Sequence, residues 1–359
     1  MPHDPKRVLV VDDSAFMRRL ISEIVESRPG FTVVGSASNG VEAIAQVRDL
    51  NPDIVTLDIA MPRMDGFEAL SFLMRRLPRP IIVLSAAGST EGNSAAIRAL
   101  ELGAVEFVRK PSGPVSVDLS LVREQLGRAL DAAAIADMSA ATQSPGVAPF
   151  IASRRVTMRR TDIPASQIIV VGASTGGPRA LSELLAGLPH DLPAAVLIVQ
   201  HMPPEFIPVL AERLGEISAL PVVVGKDGMS ILERHVYLAP GDGHMRVREK
   251  GRGARLSIEP GDLICGACPA ADALFMSAAS TFREGVIGVV LTGMGKDGAQ
   301  GLAAIRAMGG GAIVQDPASS IIYGMPRAAL DLAGADRIAS PQVIPALLRE
   351  LLHKTSRVA

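Results

Sequence analysis

The segment VVGASTGG, residues 170–177, passes from an apolar run directly into a glycine-rich turn. A short Val-rich run that stops at glycines predicts a buried β-strand followed by the start of a helix. In α/β proteins such a junction has two common uses: it binds a phosphate group, or it presents a nucleophilic side chain. Ser174 lies inside this turn and is the candidate nucleophile for the second use.

A dinucleotide site at this junction disagrees with the sequence at two places. Gly172 and Gly177 match the ends of the pattern G-x-G-x-x-G, but Ser174 occupies its central position. That position needs glycine because the backbone has to approach a pyrophosphate there. About twenty residues further along, where an acidic residue would bind a ribose hydroxyl, the chain has Ala194 and Ala195.

Apolar runs like this one recur along the chain and alternate with amphipathic helical patterns. In the first half they predict strands over residues 7–13, 32–38, 53–59, 80–86 and 104–110. In the second half the α/β pattern starts at 167–174 and continues with segments 194–202, 220–228, 235–245, 286–298 and 311–317, whose apolar parts predict strands, and 245–260 predicts a β-hairpin. Near-continuous Val, Ile and Leu runs are typical of parallel strands that are covered by helices on both faces. We therefore predict two doubly wound parallel-sheet α/β domains, 1–137 and 167–359, joined by a flexible linker over 138–166.

The composition excludes several classes of protein. The chain has 359 residues, a formal net charge of −1, no Trp and only two Tyr, so neither a basic surface nor base-stacking aromatics point to nucleic acid. No apolar run approaches the roughly eighteen residues that span a bilayer. Two cysteines in a chain of this length do not form a disulfide scaffold. We expect a cytoplasmic protein with no membrane insertion and no nucleic-acid partner.

An acidic pocket is predicted at one edge of the first sheet. Asp12 and Asp13 follow the first predicted strand, Asp58 ends the third, Ser85 ends the fourth and Lys110 ends the fifth. The carboxyl ends of parallel strands share one edge, so these side chains converge there. Clustered carboxylates repel one another and favour a hard divalent cation. One carboxylate could then accept a phosphoryl group, while the lysine and the hydroxyl bind its oxygens.

The motifs VDDS, DIAMPRMDG, LSA and FVRKP resemble those of response-regulator receiver domains, over roughly residues 6–130. The resemblance implies a flavodoxin-like fold, Asp58 as phosphoacceptor, and a histidine kinase as phosphodonor. It also implies Mg²⁺ held by Asp12, Asp13 and Asp58, receiver switch positions at Ser85, Phe107 and Lys110, and a cis peptide bond before Pro111. Ala60 departs from the family pattern, since relatives often have Glu or Asn at that position.

In the second half, a base and an orienting acid can be proposed for Ser174. His201 follows one predicted strand in VLIVQHMP, and Asp297 follows another in VVLTGMGKDG. A parallel sheet would bring all three side chains to one edge, as a Ser-His-Asp hydrolase requires. His244 remains an alternative base, whereas His235 precedes its strand and therefore belongs to the opposite edge. Spacing alone leaves open both a serine hydrolase and a module that only binds a partner protein.

The glycine-rich loop around Asp297 suggests where a developing oxyanion would be stabilised. Glycines 293, 295 and 298 allow backbone N–H groups to turn toward a bound substrate, and the Met294 amide is the leading candidate donor. Ser174 at the start of a helix would add positive potential nearby. The CGAC segment at 265–268 cannot complete a tetrahedral zinc site by itself. Packing is the main interpretation of these two cysteines, and a redox role is the alternative.

Together GASTGGP, QHMP, LAPGDGHM and LTGMGKDG resemble the CheB family of chemotaxis protein-glutamate methylesterases, over about residues 167–352. The resemblance implies a Rossmann-like catalytic domain with Ser174 as nucleophile, His201 as base, Asp297 as orienting acid, and Thr175 and Met294 assisting at the oxyanion or substrate. It implies hydrolysis of glutamate γ-methyl esters and deamidation of glutamines on methyl-accepting chemoreceptors, with no cofactor in the esterase domain. It also implies that the unphosphorylated receiver obstructs the esterase site, and that phosphorylation by a histidine kinase of the chemotaxis system relieves the obstruction.

Overall fold

The chain divides into two units, Met1–Gly146 and Val147–Ala359. The computed structural model describes residues 4–86, 90–110, 116–139, 163–251 and 253–355. Most of the predicted linker lies outside these ranges, so the domain limits given above stay predictions. Within the described ranges, no helix has the length and the apolar composition that crossing a membrane requires.

The first unit contains one parallel sheet whose strands are almost entirely apolar. Its strands are β1 Lys6–Val11, β2 Phe31–Ala37, β3 Ile54–Asp58, β4 Ile81–Ala86 and β5 Glu106–Lys110. They lie in the order β2-β1-β3-β4-β5, and every neighbouring pair is parallel. Val8 to Val11 of β1 are fully buried, as expected for a strand with helices on both faces. This strand order is the flavodoxin-like one that the receiver resemblance implied.

The helices described for this unit are α1 Ala15–Glu26, α2 Gly40–Leu50, α3 Gly66–Arg76, α4 Thr90–Glu101 and α5 Ser116–Ile135. Short polar side chains begin three of them, because their oxygens accept backbone N–H groups that the helix leaves without partners. Ser14 begins α1, Asn39 begins α2, and Asp65 forms a reciprocal capping box with Glu68 at the start of α3. The residues that follow β1 and β3 are thereby fixed close to the carboxyl edge of the sheet.

The second unit contains a larger parallel sheet. Its strands are β6 Ile168–Ala173, β7 Ala195–Gln200, β8 Val222–Val224, β9 Val236–Leu238, β12 Val286–Val290, β13 Gly311–Gln315 and β14 Arg337–Ala339. They lie in the order β14-β13-β12-β6-β7-β9-β8, and all neighbouring pairs are parallel. The central strands β6 and β7 are buried along their whole length. The doubly wound fold class predicted for both halves is therefore confirmed.

Helices cover both faces of the second sheet: α6 Gly177–Ala186, α7 Ile207–Ile217, α8 Ala271–Phe282, α9 Ala299–Ala307, α10 Met325–Ala333 and α11 Ile344–Thr355. The predicted hairpin forms β10 His244–Lys250 and β11 Gly253–Glu259, which pair antiparallel in a separate two-stranded sheet. Strands β9 and β12 occupy the apolar parts of their predicted segments and stop before the glycine-rich turns that follow. We did not predict β14, whose three residues are too few to show a period.

Candidate active site

Ser174, His201 and Asp297 all follow strands that are neighbours in the second sheet. Strand β6 lies between β7 and β12, and Ala173 is the register partner of Gln200. The residues that come next, Ser174 and His201, therefore leave the sheet side by side. Asp297 lies in the loop that follows β12. All three residues therefore lie at the carboxyl edge of the sheet.

Backbone hydrogen bonds hold Ser174 between its two neighbours. The Ser174 N–H donates to the Thr292 carbonyl at 3.0 Å, and the His201 N–H donates to the Ala173 carbonyl at 3.0 Å. The Ser174 carbonyl accepts the Gly177 N–H, at the start of α6, at 2.7 Å. Ser174 thus precedes a helix N-terminus, where the unpaired N–H groups create positive potential.

A hydrogen bond joins His201 to Asp297. The distance from His201 Nε2 to Asp297 Oδ2 is 2.8 Å. Asp297 is 2% exposed, and as a carboxylate it can only accept, so Nε2 carries the hydrogen. This assignment leaves His201 Nδ1 as the nitrogen that can take a proton. Nδ1 is consequently the atom through which His201 could act as a base toward Ser174.

The N-terminus of α8 orients the Asp297 carboxylate. Asp297 Oδ2 accepts the Ala271 N–H at 2.6 Å, and Oδ1 accepts the Asp272 and Gly298 N–H groups, both at 2.9 Å. Burial by itself raises the pKa of Asp297, but the hydrogen bond and charge of His201, together with the backbone N–H donors, outweigh burial and lower that pKa. Asp297 is therefore an ionised and immobile partner for the imidazole at neutral pH.

The alternative base His244 is occupied on both ring nitrogens. Its Nδ1 accepts the Ala270 N–H at 3.1 Å, and its Nε2 lies 2.9 Å from the Asp262 carbonyl, to which it donates. The ring is 2% exposed and links the 262–270 segment to the start of α8. His235, at the opposite end of β9, contacts the Glu233 carbonyl through Nδ1. The geometry gives both histidines structural roles.

Thr175 and the glycine-rich loop lie next to Ser174. The Thr292 hydroxyl donates to the Thr175 carbonyl at 3.0 Å, and the Gly293 N–H donates to the Ile322 carbonyl at 3.0 Å. A Cβ at Gly293 would stand 2.7 Å from the Ser174 Cβ, so only glycine allows this approach. Gly295 and Gly298 adopt positive φ angles of 91° and 87°, whereas Gly293 is needed for space. Met294, between Gly293 and Gly295, is 45% exposed.

A second set of possible metal ligands adjoins this site. Ligand atoms of Cys265, Asp272 and Asp297 lie within 4.8 Å of one another. However, Asp272 Oδ1 already accepts the Gly301 N–H at 2.7 Å, and Oδ2 accepts from Cys265 Sγ at 3.7 Å. Burial raises the pKa of both Asp272 and Cys265. These three residues are therefore joined in a hydrogen-bonded network with the start of α8 and Gly301.

In the first unit, Lys110 forms ion pairs with two buried carboxylates. Its Nζ lies 2.7 Å from Asp12 Oδ2 and 2.8 Å from Asp58 Oδ1. Burial is the largest influence on Asp58 and raises its pKa, although Lys110 acts in the opposite direction. Asp58 is consequently a carboxylate that would gain from further positive charge in its surroundings.

The acidic cluster suits a hard divalent cation. Ligand oxygens of Asp12, Asp13 and Asp58 lie within 4.8 Å of one another, and Asp13 is exposed, which leaves room for water ligands. An all-oxygen donor set of this kind fits Mg²⁺. Ser85 lies in β4, but its side chain is outside the described residues, as is Pro111. Phe107 is 9% exposed within β5.

Sequence reasoning did not identify Gln200 or the start of α8 as parts of the site. Gln200 is 2% exposed, and its amide donates to the carbonyls of both Ser174 and His201 at 3.0 Å. Its position directly before His201 in QHMP was the available signal. Ala270 and Ala271 gave no signal, because it is their backbone, and not a side chain, that contacts Asp297 and His244.

Comparison with known proteins finds a family of similar domains for each half of the chain. The family model described as CheB methylesterase matches residues 169–348, and the one described as response regulator receiver domain matches residues 8–145. The crystal structure of the Thermotoga maritima CheB methylesterase catalytic domain is 37% identical, with a TM-score of 0.51. It covers 52% of this chain and 98% of its own.

Full-length relatives cover nearly the whole chain. A protein-glutamate methylesterase/protein-glutamine glutaminase of Symbiobacterium thermophilum is 43% identical over 342 residues, which is 93% of each chain. Its namesake from Pyrococcus horikoshii is 40% identical over 347 residues, 94% of this chain and 91% of that protein. A third, from Thermotoga maritima, is 37% identical and covers 96% of this chain and 98% of its own.

Proposed function

The chain belongs to the CheB methylesterase family, and from this premise we propose that it is a phosphorylation-activated protein-glutamate methylesterase and protein-glutamine glutaminase. Its substrates are the methylated glutamates and the glutamines of methyl-accepting chemoreceptors, on their cytoplasmic helices. Its role is adaptation in chemotaxis. The catalytic residues in this proposal are Ser174, His201 and Asp297.

The observation that carries the proposal is the 2.8 Å hydrogen bond between His201 and Asp297, formed next to the backbone of Ser174. A nucleophile, a base and an orienting carboxylate are the minimum that acyl transfer through a serine ester requires. A module that only binds a partner has no use for a buried carboxylate that fixes an imidazole tautomer. The geometry thus supports an enzyme over the binding module that spacing alone left open.

In the first half-reaction, Ser174 Oγ attacks the ester carbonyl carbon of a methylated glutamate while His201 Nδ1 takes the hydroxyl proton. The negative charge that develops on the carbonyl oxygen is stabilised by the backbone N–H of Met294, with assistance from Thr175 and the N-terminus of α6. Collapse of the tetrahedral intermediate breaks the bond to the methoxy group. That group leaves as methanol with the proton from His201, and an acyl-serine remains.

In the second half-reaction, water replaces the alcohol. His201 takes a proton from the water, the resulting hydroxide attacks the acyl-serine carbonyl, and Ser174 recovers its proton as the glutamate carboxylate leaves. A glutamine side chain follows the same route and releases ammonia in place of methanol. Asp297 stabilises the positive charge that His201 acquires in both halves.

The receiver half supplies regulation in this proposal. Asp58 accepts a phosphoryl group from the histidine kinase of the chemotaxis system, and Lys110 binds the oxygens that are added. Asp12, Asp13 and Asp58 would hold Mg²⁺, which offsets the negative charge of the incoming group when it is bound. Ser85 and Phe107 occupy the positions through which receivers transmit the change.

The direct test is methanol release from methylated receptor membranes, measured for the native chain and for Ser174→Ala. We expect the variant to lose the activity while it keeps its circular dichroism spectrum and its unfolding temperature. Ser280→Ala, on the exposed surface of α8, is the matched control and retains native turnover. Native turnover by Ser174→Ala would overturn the assignment of the nucleophile, and no methanol release by the native chain would overturn the function.

A further inference from the structure

We propose that Gln200 is a positioning residue that fixes the distance between the nucleophile and the base; this inference rests on the proposed hydrolase function. Gln200 is the last residue of β7 and is 2% exposed. Its Nε2 lies 3.0 Å from the Ser174 carbonyl oxygen and 3.0 Å from the His201 carbonyl oxygen. One primary amide thus joins the main chains of both residues, and we call this pair of hydrogen bonds the amide bridge.

The amide bridge lies where the β-ladder ends. The last backbone bond between β6 and β7 in this region is the His201 N–H to the Ala173 carbonyl, at 3.0 Å. Beyond it, Ser174 turns into α6 and His201 turns toward Pro204, so the two chains diverge. Beyond the last backbone hydrogen bond between the two strands, the amide bridge connects the main chains that follow β6 and β7 through a side chain.

The chemistry of the amide fixes its orientation. Two carbonyl acceptors at 3.0 Å demand the NH₂ end of the amide, because a carbonyl oxygen cannot donate. The other end, Oε1, is buried and accepts no hydrogen bond from the described residues. The hydrogens of the amide nitrogen are therefore directed at the main chains of Ser174 and His201.

The neighbouring glycine accommodates this arrangement. A Cβ at Gly177 would stand 2.0 Å from Gln200 Oε1. The Gly177 N–H meanwhile donates to the same Ser174 carbonyl that the amide bridge uses, at 2.7 Å. Gln200 and Gly177 together restrain the Ser174 main chain from two directions. A Ser-His pair depends on such restraint, since a displacement of 1 Å can lower the rate about 100-fold.

The test uses the full chain with Gln200→Met, which preserves side-chain length and removes both donors, and with Gln200→Glu, which turns a carboxylate oxygen toward the two carbonyls. We expect kcat for methanol release to fall about 100-fold in both variants, with KM within about threefold of native. The rate at which a serine-reactive sulfonyl fluoride labels Ser174 should fall in parallel.

Gln46→Met is the matched control, because Gln46 Nε2 also donates to a backbone carbonyl, that of Ser36 at 2.6 Å, but in the other unit. It should keep native kcat and labelling. If the Gln200 variants show a lower unfolding temperature but native kcat and labelling per folded molecule, Gln200 is merely structural and the proposal fails. A native chain that hydrolyses no ester would instead overturn the proposed function, whereas the labelling rates would still test the amide bridge.

Discussion

At the scale of single residues, two buried aspartates lie in surroundings that shift their pKa values in opposite directions. Asp297 is surrounded by His201 and backbone N–H donors, and its pKa is lowered despite its burial. Asp58 has burial as its largest influence, and its pKa is raised despite Lys110. The first environment suits a permanent charge that orients an imidazole. The second suits a carboxylate that reacts with an electrophilic phosphorus once positive charge is added.

Replacing Asp297 by Asn should lower kcat for ester hydrolysis about 10²–10⁴-fold with little change in KM. The amide keeps the shape of the side chain, but it no longer stabilises a positive imidazolium, and its NH₂ end opposes the backbone donors of α8. Steady-state methanol release measures the effect. A loss of less than about threefold would show that His201 does not depend on this carboxylate.

The same substitution should also lower stability in a pH-dependent way. Because the folded pKa of Asp297 lies below its ordinary value of 3.8, its charge stabilises the fold fully above pH 3.8. The stabilisation is lost as the pH falls through the lowered pKa. The deficit in the free energy of unfolding of Asp297→Asn, measured with urea, should therefore shrink as the pH falls below 4. A deficit that grows on acidification below pH 4 would contradict the sign.

Asp58→Asn should have the opposite effect and stabilise the first unit by on the order of 1 kcal/mol at pH 7 without divalent cations, because Lys110 keeps Asp12 as its partner. The raised pKa means that folding opposes ionisation of Asp58 at neutral pH. This penalty is complete above the raised pKa and disappears as the pH falls toward 3.8. Calorimetry of the full chain at several pH values would measure the difference. A destabilised variant would show that the Lys110 ion pair outweighs burial.

At the scale of secondary-structure elements, the sequence predicted which residues follow each strand, but it did not predict the hydrogen bonds that these residues form with other elements. The edge that gathers Ser174, His201 and Asp297 followed from apolar runs that stop at glycine or at polar residues. The contacts of α8 with Asp297 could not be predicted in this way, because backbone N–H groups make them and every residue type except proline has that group. Sequence alone also left His244 open as a base, since only the structure shows that both its ring nitrogens have partners.

The junction of β6 and α6 yields a prediction about Gly177. In Gly177→Ala the new methyl group would collide with Gln200 Oε1, so either α6 or the amide has to shift. We expect kcat to fall at least about tenfold and stability to fall by about 1–3 kcal/mol. Gly215→Ala on α7, where the nearest atom is 3.8 Å away, is the control and should be neutral or slightly stabilising. Native kinetics in Gly177→Ala would show that this junction tolerates displacement.

At the scale of the whole molecule, each unit has a hydrophobic core of its own. One core joins residues between Val8 and Ala133, and another joins residues between Ala165 and Ala329. The two sets share no member, so each unit has the buried apolar surface that an independent fold requires. Regulation of one unit by the other is then a matter of relative populations of whole-chain states rather than of completing a fold.

Phosphorylation should therefore change how often the esterase site is usable without changing the site itself. A small phosphodonor such as acetyl phosphate, with Mg²⁺, should raise methanol release by the full chain, and Asp58→Asn should abolish the rise. Asp49→Asn, on the exposed face of α2, should respond like the native chain. A tenfold rise requires the phosphoryl group to favour the active state by about 1.4 kcal/mol, which is within the range of a few charge-assisted hydrogen bonds at Lys110 and its neighbours.

If the catalytic residues keep their geometry, the rise in methanol release should come mainly from a larger fraction of active molecules, and the pH profile of the reaction should stay unchanged. A donor-induced shift of that profile would mean that phosphorylation reshapes the catalytic residues themselves.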